Sequence, residues 1–249
     1  MKTNMISLTA AALMLCTIEV SAQQTVADKP HNTLKTPPFL SVNEQPNHAK
    51  YLAQPPATDS MAFMTDAYYY QWGKQQRTTA RGEQAADDEE QRTSKAFSDA
   101  AGFVITPDEC PEIFKLVEGA WVDALTANLR SKDYFKRVRP FVYFCEPSLV
   151  SRTDSFVRKS FSYPSGHASR GWVYALTLAL VVPDSTEALI RRGQEYALNR
   201  VICGRHYKSD VDASLIEANA VMCRLLSNEA FLAQLSRARK EYAEMRGKK

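Results

Sequence analysis

From Gly171 to Val182 the chain is apolar on nearly every face that a helix could present. A helix of that kind cannot lie on a surface, so other elements must surround it. It is also too short to cross a bilayer, which takes about 20 apolar residues. These two constraints point to a central helix buried by the rest of the body. With 249 residues, 45% of them hydrophobic and 24% charged, the chain can bury one sizeable core. From Met61 onward the texture is helical, and local signals divide it. Thr106-Pro107-Asp108-Glu109 predicts a helix with Thr106 as N-cap, proline at the first position and Glu109 closing a capping box. Asp184-x-x-Glu187 after Pro183 predicts another that runs to about Cys203, where Gly204 breaks it and lets His206 start the next. The acidic run Asp87 to Glu90 reads as a solvated helix face, Tyr68-Tyr69-Tyr70 with Trp72 as core or interface, and Arg237, Arg239 and Lys240 as an exposed helix.

The first residues read as an address. Lys2 precedes an apolar run from Ile6 to about Cys16, and Val20-Ser21-Ala22 has the small-x-small form of a signal-peptidase site. Residues 1–22 are therefore expected to be a signal peptide, leaving Gln23 as the mature N-terminus of a periplasmic or secreted protein. A lipoprotein reading of Cys16 is weaker, because Leu13-Met14-Leu15 lacks the small residue such a site needs. Residues 23–60, polar and carrying Pro30, Pro37, Pro38, Pro46, Pro55 and Pro56, are expected to form an extended arm, and 61–249 the single helical domain. Export leaves Cys110, Cys145, Cys203 and Cys223 in an oxidising compartment. The pairing expected is Cys110–Cys145 with Cys203–Cys223, set against unpaired buried thiols. Without a CxxC or a nearby histidine pair no metal or other cofactor is expected. A net charge of +3 without a basic stripe interleaved with aromatics gives no reason to expect nucleic acid.

Three stretches carry chemistry: Lys132-x6-Arg139-Pro140, Pro164-Ser165-Gly166-His167, and Arg200-x5-His206-x3-Asp210. Phosphoryl transfer spreads negative charge over the equatorial oxygens, so its catalyst needs fixed cations and N–H donors. Lys132, Arg139 and Arg200 supply cations, two of them as planar forks. Ser165, Gly166 and His167 precede an apolar helical run, which puts their N–H groups at a helix N-terminus. His206 and Asp210, at i and i+4 on a helix, would let the carboxylate take the imidazole Nδ1–H and point Nε2 at phosphorus. His206 is then the nucleophile and His167 the group that protonates the leaving oxygen and later activates water. Each motif alone has a bland reading as a solvated charge, a turn or a surface pair; their order in one chain favours a phosphate site.

These motifs resemble those of the type-2 phosphatidic acid phosphatase superfamily, and more narrowly the bacterial class A non-specific acid phosphatases. Tyr51-Leu52 with Pro55-Pro56, Thr79-Ala80-Arg81-Gly82-Glu83-Gln84-Ala85, and Val201-Ile202-Cys203-Gly204 carry the resemblance further, over roughly residue 50 to the C-terminal region. It implies an all-helical fold shared with vanadium haloperoxidases and a metal-independent phosphomonoesterase working through a phosphohistidine. Carried over by position, the phosphate ligands are Lys132, Arg139, Ser165, Gly166 and Arg200, with His167 as acid, His206 as nucleophile and Asp210 orienting it. The chain departs from the family pattern at Phe161, Ala168 and Asn199. The partners implied are small phosphomonoesters and inorganic phosphate, without stable membrane insertion, and the family-level expectation is a homodimer. Transfer to an alcohol acceptor, vanadate-dependent halide oxidation and anion binding without turnover are the competing readings.

Overall fold

The computed structural model describes residues 36–90 and 93–247, so the signal-peptide expectation and the first part of the arm lie outside the described residues. Every regular element among the described residues is helical. α1 (Met61–Gln76), α2 (Ala80–Glu90) and α3 (Thr93–Ala101) lead to the longest helix, α4 (Pro111–Phe135). Two four-residue helices, α5 (Pro140–Tyr143) and α6 (Asp154–Val157), precede α7 (Gly166–Val181). α8 (Thr186–Ile202), α9 (Lys208–Leu225) and α10 (Glu229–Gly247) complete the chain.

α7 is the buried helix that the apolar run demanded. It packs against α4, α8 and α9, and more lightly against α3 and α10. Val173, Tyr174, Ala175 and Leu178 on it are wholly buried. Each large apolar side chain so buried contributes about 1.5–3 kcal/mol of transfer free energy. No helix among the described residues is long and apolar enough to cross a membrane.

Local chemistry sets most helix ends, with one correction. The helix expected from Thr106 begins instead at Pro111, with Cys110 as the preceding residue. Thr106 Oγ1 does accept from Glu109 N–H at 3.3 Å, but it caps only a turn. The reason is Pro111: a residue before proline is pushed out of the α region, and Cys110 sits at φ −150°, ψ 69°. α8 starts with a 3-10 turn at Pro183–Ser185 and ends at Ile202, as the signals around it imply. Gly204 then adopts φ +75°, the left-handed region, with the Arg77 guanidinium where a Cβ would stand.

The expected disulfides are absent, since all four described cysteines are free. Cys110 is buried beside the carbonyls of Val104 and Thr106, and Cys203 beside the carbonyl of Ala85. Cys145 and Cys223 are exposed on other elements. Spacing could not show that these thiols face different neighbours.

Residues 36–60 hold a single 3-10 turn, His48–Lys50, and lie along the helices. Asp123 on α4 fastens them: Oδ2 accepts from Phe39 N–H at 2.9 Å, and Oδ1 from Leu40 N–H at 3.1 Å and Gln45 Nε2 at 2.9 Å. His48 is buried, with Nε2 3.4 Å from Glu217 on α9.

Candidate active site

The three motifs converge at the N-terminal end of α7. Ser165 is its N-cap, the hydroxyl accepting from Ala168 N–H at 3.3 Å. Gly166 and His167 occupy the first two helical positions, where N–H groups have no carbonyl inside the helix. The Ser165 N–H, expected to face an anion, instead donates to Ser214 Oγ at 2.7 Å and the Asp210 carbonyl at 3.2 Å. Those bonds tie the turn to α9. Gly166 is needed for close approach: a Cβ there would stand 2.6 Å from Asn128 Oδ1. Asn128 Nδ2 in turn donates to the Pro164 carbonyl and, at 2.8 Å, to Glu217.

His206 is not on a helix, contrary to expectation. α9 begins at Lys208 with Tyr207 as N-cap, and His206 lies in the turn before it. The positive φ of Gly204 folds that turn back, so that the N–H groups of both Arg205 and His206 reach the Arg200 carbonyl, at 3.1 and 3.3 Å. Asp210, at the third position of α9, still meets the imidazole, with Oδ2 3.5 Å from Nδ1. Oδ2 also accepts from Ser162 Oγ at 2.5 Å and Tyr207 N–H at 2.8 Å, and Oδ1 from Arg137 at 2.6 Å. On the other side of the ring, Arg139 Nη1 lies 3.0 Å from Nε2. A guanidinium can only donate, so Nε2 accepts and the ring proton belongs on Nδ1, toward Asp210.

Lys132, in the last turn of α4, is buried with Nζ donating to the Phe161 and Ser162 carbonyls at 2.8 and 3.2 Å. Arg139 leads into α5 and bonds the Ser160 and Arg205 carbonyls, each at 3.0 Å. Arg200, wholly buried on α8, pairs with Glu89 of α2, and its Nε has no hydrogen-bond partner.

Burial first, and then this crowd of cations, governs protonation. Burial, then the charges of Arg139, Lys132 and Arg200, holds the His206 imidazole well below the ordinary histidine value. Burial, then Arg170, Arg200 and His206, does the same to His167. Burial, then Arg139, lowers the Lys132 ammonium well below its usual value.

Several residues of this neighbourhood escape sequence reasoning. Arg137, which spacing leaves among solvated charges, is buried and bridges Asp210 to Asp66 of α1, at 2.6 and 2.7 Å. Its guanidinium also lies 4.0 Å from the Tyr207 ring centroid. The acidic run is not a solvated face throughout: Asp88 is buried against Arg192 and Asn199, and Glu89 pairs with Arg200. Asn199, one of the departures, thus holds Asp88 at 2.7 Å. Of the tyrosine run, Tyr70 is core and stacks on Phe144, whereas Tyr68 is exposed. Among the described residues no group of three or more His, Cys, Asp or Glu side chains is arranged to hold a metal ion.

An all-helical body with two histidines among cations at the head of its buried helix defines a phosphate-handling class, and the family model of the PAP2 superfamily matches residues 114–228. That span contains every site residue expected from the sequence. A non-specific acid phosphatase of Providencia stuartii is 36% identical over 234 residues, covering 91% of this chain and 94% of the relative. One from Salmonella typhimurium is 34% identical, covering 82% and 83%, and an acid phosphatase of Zymomonas mobilis is 29% identical, covering 86% and 83%. The chain belongs to the bacterial non-specific acid phosphatases of the PAP2 superfamily.

Proposed function

We propose that the protein is an exported acid phosphatase that hydrolyses phosphomonoesters of broad range through a phosphohistidine intermediate. The observation that carries the mechanism is the setting of His206: Nδ1 faces Asp210, and Nε2 accepts from Arg139 inside a cluster of cations. As substrate binds, the Arg139 N–H turns from Nε2 to a phosphoryl oxygen, which frees the lone pair to attack phosphorus while Lys132, Arg139, Arg200 and the N–H groups of Gly166 and His167 take up the charge on the equatorial oxygens. His167 protonates the departing alkoxide, then removes a proton from the water that cleaves the phosphorus–nitrogen bond. Asp210 acts through His206, holding the tautomer and supporting positive charge on the ring. Membership of the phosphatase family supports the reaction, and the leader-like residues 1–22 support export.

The test uses protein isolated from the periplasm, whose first residue should read Gln23. It is mixed with a radiolabelled phosphomonoester in EDTA and quenched within milliseconds in alkaline detergent. Wild type should yield a base-stable, acid-labile phosphoprotein that His206→Ala does not form. Undiminished hydrolysis by the variant would remove His206 from the nucleophile role.

A further inference from the structure

Arg170 is a cation that the reaction above does not use. It stands three residues after His167 on α7, so both side chains project from one face of the helix. Its charge is the largest electrostatic influence on His167 after burial. Lys132, Arg139 and Arg200 are buried, whereas Arg170 is half-buried. The guanidinium is also held in place. Nε donates to the Gly166 carbonyl at 3.1 Å, and the group lies 4.6 Å from the ring centroid of Trp121 on α4. Trp121 is itself fixed, its indole N–H donating to Thr93 Oγ1 at 3.1 Å. With Nε committed, the terminal nitrogens are the part of the fork that an oxyanion would meet.

We infer that Arg170, braced by Trp121, forms a second anion subsite on the leaving-group side of the pocket, taking the non-scissile phosphate of substrates whose leaving group is itself phosphate. The inference rests on the assignment of His167 as the proton donor. A cation beside that histidine opposes the protonated form needed to expel an uncharged leaving group. A second phosphate offsets the repulsion, so the arrangement favours diphosphates over simple monoesters. With pyrophosphate, His206 Nε2 attacks one phosphorus as the bridging phosphorus–oxygen bond breaks. The bonding pair passes to the bridging oxygen, which takes the His167 proton and leaves as phosphate against Arg170. Water activated by His167 then attacks the phosphohistidine, the pair of the phosphorus–nitrogen bond returns to Nε2, and the second phosphate departs.

The experiment compares kcat/KM for pyrophosphate and p-nitrophenyl phosphate, in EDTA at fixed ionic strength, for wild type, Arg170→Gln and Arg170→Lys. Arg170→Gln should lower the pyrophosphate to p-nitrophenyl phosphate ratio by about tenfold, the scale of one lost charge-assisted contact, and Arg170→Lys should recover most of it. A ratio within about twofold of wild type in the variant that lacks the charge, or equal losses on both substrates, would overturn the subsite. Circular dichroism checks folding, and Arg170→Met, a second variant without the charge, carries the comparison if Arg170→Gln does not fold. A wild type that hydrolyses neither substrate would overturn the phosphatase reading itself, a different result from an unchanged ratio.

Discussion

At the scale of single residues, the site holds its two histidines neutral before any substrate arrives. Burial and surrounding cations depress both His167 and His206. That suits a nucleophile, whose Nε2 lone pair must be available, and opposes a general acid, which must carry a proton. On the proposed assignment the substrate is what resolves the conflict, its negative charge offsetting the repulsion from Arg139, Arg170 and Arg200 so that His167 can take a proton. Binding of an oxyanion should therefore be linked to proton uptake. Sulfate is a suitable probe, being a tetrahedral dianion that carries no proton near pH 6. Calorimetry at that pH in two buffers of different ionisation enthalpy should show uptake approaching one proton. Since protons are taken up, affinity should weaken with rising pH, by up to about tenfold per unit. His167→Asn should abolish the uptake. Binding that is independent of pH in wild type would show that His167 does not become the acid.

At the scale of elements, α2 controls the placing of an arginine on α8. Two of its acidic residues point inward, Asp88 on Arg192 and Asn199 and Glu89 on Arg200, while Glu83, Asp87 and Glu90 are exposed. Glu89 also stands 3.6 Å from Arg205, which in turn pairs with Asp154 of α6 at 2.8 Å. Three elements are thus tied by charges whose desolvation is repaid only while every partner is present. Asp88→Ala leaves Arg192 and the Asn199 amide buried without their carboxylate, which should lower stability by about 3 kcal/mol. Urea unfolding checks this, and a change below about 1 kcal/mol would mean that water replaces the carboxylate. Sequence pattern misled here for a physical reason. An acidic run is normally solvated, and only the arginines of α8, more than a hundred positions away, make burial favourable. The end of α8 was legible by contrast, because Gly204 states it locally through a backbone conformation that other residues rarely adopt.

At the scale of the whole molecule, residues 36–60 are held on the helices through buried carboxyls. Burial pushes Asp123 up to about 6 and Glu217 up to about 7. Burial also drops His48, facing Glu217, to about 4, so the two do not form an ion pair in weak acid. For the two carboxyls the folded state keeps protons that the unfolded chain gives up near pH 4, so their contribution to stability is greatest in acid and falls as pH rises toward 7, opposed by the depressed His48, His167 and His206, whose contribution rises over the same range. From its 4.5 reference to about 7, Glu217 alone accounts for on the order of 3 kcal/mol of that fall. Glu217→Gln keeps an acceptor for Asn128 and Ser131, and removes that fall, so the slope of Tm against pH between 5 and 7.5 should become more positive than in wild type. An unaltered slope would show that Glu217 is ionised throughout that range. By itself, the sequence determined the buried helix, the helical class, the order of the three motifs and the identity of the groups that meet at the head of α7. These are matters of periodicity, of proline and glycine backbone geometry and of side-chain chemistry, all carried within a few residues. Tertiary structure alone decided that Arg137 bridges Asp66 and Asp210, that Glu89 holds Arg200, that His206 sits before its helix, and that the cysteines stay apart. Charges and thiols choose partners by distance in space, and spacing along the chain does not encode which distant residue will lie within 3 Å.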